Sequence, residues 1–173
     1  TEESSDEDKI RFDTAGVERM IIESDGTVGI AVVPETWTNS FRALQIGTKG
    51  VAAAHVGDEM YSGSNFYYSS GYKYIATDEA SAIKQTNGII SFQNAVSGSA
   101  DAAITWAERM RIATDGKVGI GTTAPIAKFN TDTGDIAISA TQTSDNGDLG
   151  EFQFWNRTNA GSGSGSSFVN DVA

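Results

Sequence analysis

The chain contains one fourteen-residue phrase twice, ninety positions apart, and this repeat limits its fold more than any other feature. Nine of the fourteen positions in residues 17–30 are identical in residues 107–120. In each copy a short apolar–polar alternation is followed by Asp-Gly and then by Val-Gly-Ile, a pattern typical of a β-hairpin. Asp-Gly predicts a tight turn in which two successive residues have positive φ. The repeat therefore predicts two equivalent hairpins in an all-β fold.

Each hairpin is predicted to carry its large apolar side chains on one face. In the second copy Met110 and Ile112 share one parity along the strand, whereas Arg109 and Arg111 share the other. A two-stranded hairpin is marginally stable by itself, so its apolar face needs cover from another sheet or from another copy of the chain. The residues expected at this subunit or core contact are Met20, Ile22, Val28, Ile30, Met110, Ile112, Val118 and Ile120.

Composition excludes several classes of function. The formal net charge of −11 argues against binding to nucleic acid, because phosphate contacts need clustered Lys and Arg. No apolar run approaches the length of a membrane span, so membrane insertion is not expected. The chain has no cysteine, which removes disulfides and thiolate metal sites. Its 19 glycines against 2 prolines indicate many turns between short strands.

The five tyrosines of the chain all lie within residues 61–74, accompanied by Phe66. If residues 69–71 form a three-residue hairpin loop, Tyr68 faces Tyr72 and Phe66 faces Tyr74. This aromatic ladder has two interpretations, namely a subunit contact or small core, and a platform on which sugar rings stack. Tyr67 has the opposite parity and is predicted to be the exposed ring. Lys73 shares that parity, so the candidates for receptor contact are Tyr67 and Lys73.

Catalytic and metal-binding residues are not predicted. His55 is the only histidine, and no orienting partner or metal set lies near it in sequence. Four residues with side-chain oxygens follow one another closely at Asp145, Asn146, Asp148 and Glu151, but their spacing favours a turn over a calcium loop. We therefore expect no enzyme, no cofactor and no metal. The residues expected to anchor the core are Trp37, Phe92, Trp106 and Trp155.

The phrase ERMRIATDGKVGIGTTAPIAKF, its upstream partner, and the intervening FRALQIGTKG and FYYSSGYKYIATDEASAIKQTNGIISFQNAV resemble the distal or shaft regions of bacteriophage tail-fibre proteins. The resemblance covers about residues 10–128 and extends more loosely to the end. It implies an elongated fold of short antiparallel strands and hairpins in an intertwined or laterally packed homotrimer. It also implies a virion location in an extracellular tail fibre, with other tail-fibre or baseplate proteins as partners and a host surface glycan as the candidate receptor.

The chain departs from the tail-fibre pattern at two points. Its first copy continues as VGIAVVPETW where the second has VGIGTTAP, so the exit turn of the first hairpin is expected to differ. The helical segment of an intramolecular chaperone, which commonly follows such phrases in these fibres, is not visible. The resemblance therefore implies a mature or truncated piece of a fibre.

Five segments are predicted along the chain. They are an acidic N-terminal segment (1–9), a first repeat hairpin (10–36), an inserted β module with the aromatic cluster (37–103), a second repeat hairpin (104–128) and a further, incomplete β module (129–173). Together they predict a structural segment of a phage tail fibre that contributes to host attachment. Two alternatives stay open, namely a monomeric carbohydrate-binding module or bacterial surface adhesin, and a glycan depolymerase of the tailspike type.

Overall fold

The computed structural model describes residues 8–38 and 40–132, and these residues form strands and connecting turns without a helix. The strands of the described residues, in chain order, are β1 (Ile10–Thr14), β2 (Val17–Ile22), β3 (Val28–Ile30), β4 (Phe41–Ile46), β5 (Gly50–His55), β6 (Glu59–Ser64), β7 (Tyr67–Tyr68), β8 (Tyr72–Lys73), β9 (Asp78–Thr86), β10 (Ile89–Gly98), β11 (Ala107–Ile112), β12 (Val118–Ile120) and β13 (Phe129–Thr131). The predicted all-β class is thus confirmed. No helix in this part of the chain is long and apolar enough to cross a membrane. The predictions for Trp155 and for the oxygen-rich residues 145–151 lie outside the described residues.

Eleven of these strands form one sheet, in the order β1-β2-β3-β4-β5-β6-β9-β10-β11-β12-β13. Strands β7 and β8 form a separate two-stranded ribbon. Neighbouring strands are antiparallel except for two parallel pairs, β3 with β4 and β12 with β13. The three central predicted segments therefore contribute consecutive strands to a single sheet.

The two copies of the repeated phrase form hairpins with the same register. Met20 pairs with Ile30 in the first copy, and Met110 pairs with Ile120 in the second. In each copy the Asp-Gly dipeptide lies in a three-residue loop that is closed by a backbone hydrogen bond, Glu23 N to Thr27 O in the first copy, at 2.8 Å. The predicted hairpins are confirmed.

The predicted turn type is wrong, because only the glycine of Asp-Gly has positive φ, at 84° for Gly26. Asp25 stays at negative φ and accepts a hydrogen bond from Thr27 N at 2.8 Å. The loop thus corresponds to a type I turn followed by one left-handed residue. Two consecutive positive φ values occur instead in the two-residue turns at residues 15–16 and 87–88.

The structural repeat is longer than the sequence repeat, because β1 and β10 occupy equivalent positions beside the two hairpins. Phe12 pairs with Met20 and Phe92 pairs with Met110, and in both cases the register shifts at the next residue. The two strands are eighty residues apart, whereas the hairpins are ninety apart. A comparison of the sequence with itself at the ninety-residue offset therefore does not align β1 with β10.

The exit turns of the two hairpins begin alike, although their sequences differ. Ala31 N donates to Arg19 O at 2.9 Å, and Gly121 N donates to Arg109 O at 2.9 Å. Ala31 adopts a φ of 55° and Gly121 a φ of 74°, so the alanine takes up a backbone conformation that favours glycine. The expected difference appears further along, because the proline comes one residue sooner in the first copy and the parallel partner of Val28 is Leu44 whereas that of Val118 is Phe129.

The side chains of the large sheet divide into a covered face and an open face, because strand residues alternate between its two sides. The covered face carries Phe41, Ala53, Tyr61 and Ala82, which are buried beneath loops of the same chain. The open face carries the apolar residues that the two repeated hairpins were predicted to share, whereas Ile21 of the first hairpin is 1% exposed on the covered face. Among the described residues no element packs over the open face.

Candidate functional site

A layer of aromatic side chains covers one side of the sheet. Phe41 lies between Trp37 and Tyr68, with ring centroids 5.6 Å and 4.8 Å away. Phe66 has no exposed surface, and its ring centroid is 5.5 Å from that of Trp106. The prediction that Trp37 anchors the core is confirmed, since it is 2% exposed. Trp106 is half-buried against the same layer.

Asn65 fixes the loop that carries the aromatic residues. It is fully buried, with φ at 64°, and its amide donates to Ala76 O and Glu79 O at 3.0 Å each. Its side-chain oxygen accepts from Ala76 N at 2.8 Å. The sequence interpretation missed this residue. The signal was an asparagine in SGSNF, because asparagine tolerates a left-handed conformation better than most residues.

The prediction that Tyr67 is an exposed ring is wrong. Tyr67 is 6% exposed, and its hydroxyl donates to Asp101 Oδ1 at 2.6 Å. Asp101 lies in the connection between β10 and β11, 34 residues further along the chain. A tyrosine held in this way cannot present its ring to a receptor. Lys73, the second candidate, pairs with Tyr67 in the β7–β8 ribbon and is half-buried.

The aromatic ladder is formed in part. Tyr68 and Tyr72 are paired as predicted, with ring centroids 5.0 Å apart. Phe66 lies outside the ribbon, and the register contains no pair between Phe66 and Tyr74. Tyr74 is instead 4% exposed in a second small cluster, where its hydroxyl donates to Val96 O.

Burial alters the ionisation of three tyrosines in this layer. Burial raises the pKa of Tyr61 to about 12. Burial, and then the hydrogen bond to Asp101, raises the pKa of Tyr67. The pKa of Tyr72 is likewise raised, first by burial and then by its hydrogen bond to Tyr61. All three hydroxyls are therefore protonated at neutral pH, which allows Tyr67 and Tyr72 to act as hydrogen-bond donors.

We expect the fold to lose stability as the pH rises above about 10. An unfolded tyrosine ionises near pH 10, whereas Tyr61, Tyr67 and Tyr72 hold their protons to higher pH when folded. Their contribution is thus complete below the unfolded pKa and disappears as the pH rises through the folded values. The urea midpoint, followed by circular dichroism, should fall between about pH 10 and pH 12 and fall less steeply in Tyr67→Phe. Parallel curves for the two proteins would contradict this explanation.

The open face contains all eight repeat residues that were predicted at a subunit or core contact. Met20, Met110 and their partners across the hairpins point to the same side, and none of the eight is fully buried by the described residues. Ile30 is 38% exposed and Ile120 is 40% exposed. The large apolar residues of this face that remain exposed are Ile10, Phe12, Ile30, Ile46, Met60, Ile83, Ile90, Phe92, Ile120 and Phe129. The prediction that Phe92 anchors the core is wrong for the described part of the chain, where Phe92 lies on the open face and is 38% exposed.

Three ion pairs between strand residues lie on the covered face. Arg11 pairs with Glu18 at 3.3 Å at one end of the sheet. Arg111 contacts Glu108 through two nitrogens near the other end. Lys84 pairs with Glu59 at 2.6 Å, on the same side as Tyr61. The open face also carries a charge, however, because Arg42 alternates with the buried Phe41 and Ala43 along β4.

The single histidine has a local structural role. His55 Nδ1 accepts from Gly57 N at 3.1 Å, and the ring lies 5.0 Å from that of Phe41. This contact stabilises the turn between β5 and β6.

No protein-family model matches the chain, and no curated protein matches it either. Function therefore has to be inferred from the two faces of the sheet.

Proposed function

We propose that this chain is a structural segment of a phage tail fibre, that three copies associate through the open face, and that the assembly contributes to host attachment. The observation that carries the proposal is the apolar surface that extends across the large sheet without cover from any described residue. Exposed apolar patches of this kind mark interfaces in soluble proteins. The choice of three copies and of a virion location depends on the resemblance to tail-fibre shafts.

The distribution of the apolar residues supports association between copies of the chain. Ile10 and Phe129 lie on the two edge strands, and both are about half exposed on the open face. A cover has to span eleven strands, which is roughly 50 Å at the usual spacing between strands. Another copy of the same sheet matches this extent, because it presents an apolar face of the same length.

The ion pairs described on the strands do not oppose self-association at this face. The chain carries a formal charge of −11, so most contacts between copies would be repulsive. The ion pairs of the strands lie on the covered face, however, where they stay in water when the open faces meet. Burial of the open face therefore leaves these ion pairs in water, but it takes in Arg42, whose guanidinium must keep a partner at the contact because an unpaired buried charge is costly.

The proposal is tested by the mass of the purified chain in solution. Light scattering after gel filtration at micromolar concentration should give three times the chain mass, and gel mobility without boiling should show the same species. A well-folded monomer would contradict the association. A stable two-chain species would contradict the trimer. Adsorption of the labelled protein to host cells tests the attachment role separately.

A further inference from the structure

Strand β1 stands at one end of the large sheet, and among the described residues only β2 lies beside it. The backbone groups of successive strand residues point alternately to the two sides of the strand. Thr14 pairs with Val17 across the two-residue turn at residues 15–16, so the backbone groups of Arg11 and Asp13 are directed away from β2. We name this side of the strand the β1 edge. A sheet edge of this kind is a template to which a further strand can add.

The equivalent strand β10 shows which kind of strand fits such an edge. Strand β10 pairs with β11 as β1 pairs with β2, with the register shift at the same position. The other side of β10 is occupied by β9, which is antiparallel to it. In this pair Ser91 lies opposite Lys84, and Gln93 lies opposite Ala82. The structural repeat therefore predicts an antiparallel strand of the same register along the β1 edge.

The backbone of Asp8, just before β1, has the conformation of a hairpin turn. Its φ is 49°, which is uncommon for a residue that has a side chain. The residue eighty positions further along is Gly88, which has a φ of 73° in the two-residue turn between β9 and β10. Such turns require positive φ at this position. Asp8 thus has the conformation needed for a chain that turns back along the β1 edge.

We propose that residues 1–6 bind along the β1 edge as an antiparallel strand, in the register that β9 has on β10. This register places Ser4 opposite Arg11 and Glu2 opposite Asp13. The segment is joined to β1 through the turn at Asp8, so its effective concentration at the edge exceeds that of any strand from another molecule. The equivalent register and the turn at Asp8 carry the proposal. Charge does not, because Glu2 and Asp13 repel each other.

A strand of this composition would protect the sheet against further edge-to-edge pairing. Residues 1–6 read TEESSD, and three of these six residues are acidic. Charged side chains on an edge strand are a common means by which natural sheets prevent the addition of another sheet. The like charge of two such edges would also keep copies of the chain from meeting there. The inference goes beyond the proposed function and does not depend on the number of associated copies.

Two neighbouring serines supply matched variants of the full chain. In the proposed register the amide of Ser4 faces the β1 edge, whereas the amide of Ser5 faces away from it. Proline has no amide hydrogen and is tolerated on an edge strand only where that hydrogen would face solvent. Ser4→Pro should therefore detach the segment, and Ser5→Pro should leave it bound. Melting curves of both variants establish that the rest of the chain is folded.

The measurement is amide hydrogen exchange at single residues, followed by NMR. In the unmodified chain we expect the amides of Arg11 and Asp13 to be protected to within about tenfold of their counterparts Ser91 and Gln93. Those counterparts face β9 and serve as internal references. Fast exchange at Arg11 and Asp13 beside slow exchange at the references would overturn the proposal.

The variants identify the occupant of the edge. We expect exchange at Arg11 and Asp13 to become at least about tenfold faster in Ser4→Pro and to stay unchanged in Ser5→Pro. Protection in Ser4→Pro that equals or exceeds that in Ser5→Pro would overturn the proposal. Protection that is lost on dilution would also overturn it, because it would assign the edge to another copy. The mass of the chain in solution is measured separately, so either proposal can fail without the other.

Discussion

Replacing Ile30 or Ile120 with aspartate is expected to separate the associated chains into folded monomers. The two isoleucines occupy equivalent positions in the repeated hairpins and are 38% and 40% exposed on the open face. In the isolated sheet a carboxylate at either position can reach water. Between associated open faces it would be buried without a partner, at a cost of several kcal/mol per chain. Light scattering should show the mass of one chain, with the circular dichroism of a β protein retained.

A matched control places the same charge on the other side of the sheet. Val33 is 67% exposed in the exit turn of the first hairpin, and this turn folds over Gly29 on the covered face. Val33→Asp should therefore leave the associated mass unchanged. If Ile30→Asp and Ile120→Asp keep the mass of the unmodified protein, or if Val33→Asp dissociates equally well, the open face is not the contact between copies.

Gly29→Ala is expected to destabilise the fold strongly. A Cβ at this position would lie 2.2 Å from Val32 O, 2.7 Å from Pro34 Cδ and 3.0 Å from Ile21 Cγ2. The first two of these atoms belong to the exit turn, which cannot move away without breaking its own hydrogen bonds. We expect a loss of about 3 kcal/mol or more, seen as a fall in melting temperature of about 10 °C.

The second repeat supplies two comparisons for this prediction. At Gly119 the corresponding Cβ would lie 2.6 Å from Thr122 O, so Gly119→Ala should also destabilise, but less. Gly121→Ala introduces the residue that already occurs at the equivalent position of the first repeat, where Ala31 has positive φ. It should cost only about 1 kcal/mol. A melting temperature for Gly29→Ala equal to that for Gly121→Ala would show that the exit turn does not press on the strand.

Features that depend on residues close together in the sequence were predicted correctly, whereas features that depend on residues far apart were missed. The hairpins and the pairing of Tyr68 with Tyr72 were predictable, because alternation and turn residues act over a few positions. The equivalence of β1 and β10 was not predictable, because the connection from β10 to the second hairpin is longer than the connection from β1 to the first hairpin.

By itself the sequence determined the all-β class, the two hairpins and the common parity of the eight apolar residues predicted at the contact, since each depends on local backbone preferences and on a period of two. Only the tertiary structure decided which face of the sheet is covered. Parity places Phe92 and Tyr61 on opposite faces without showing which face the loops pack over. That choice depends on long-range contacts, such as Tyr67 with Asp101 and Asn65 with Glu79. It leaves the repeated apolar residues uncovered among the described residues, and this surface is the physical basis of the proposed assembly.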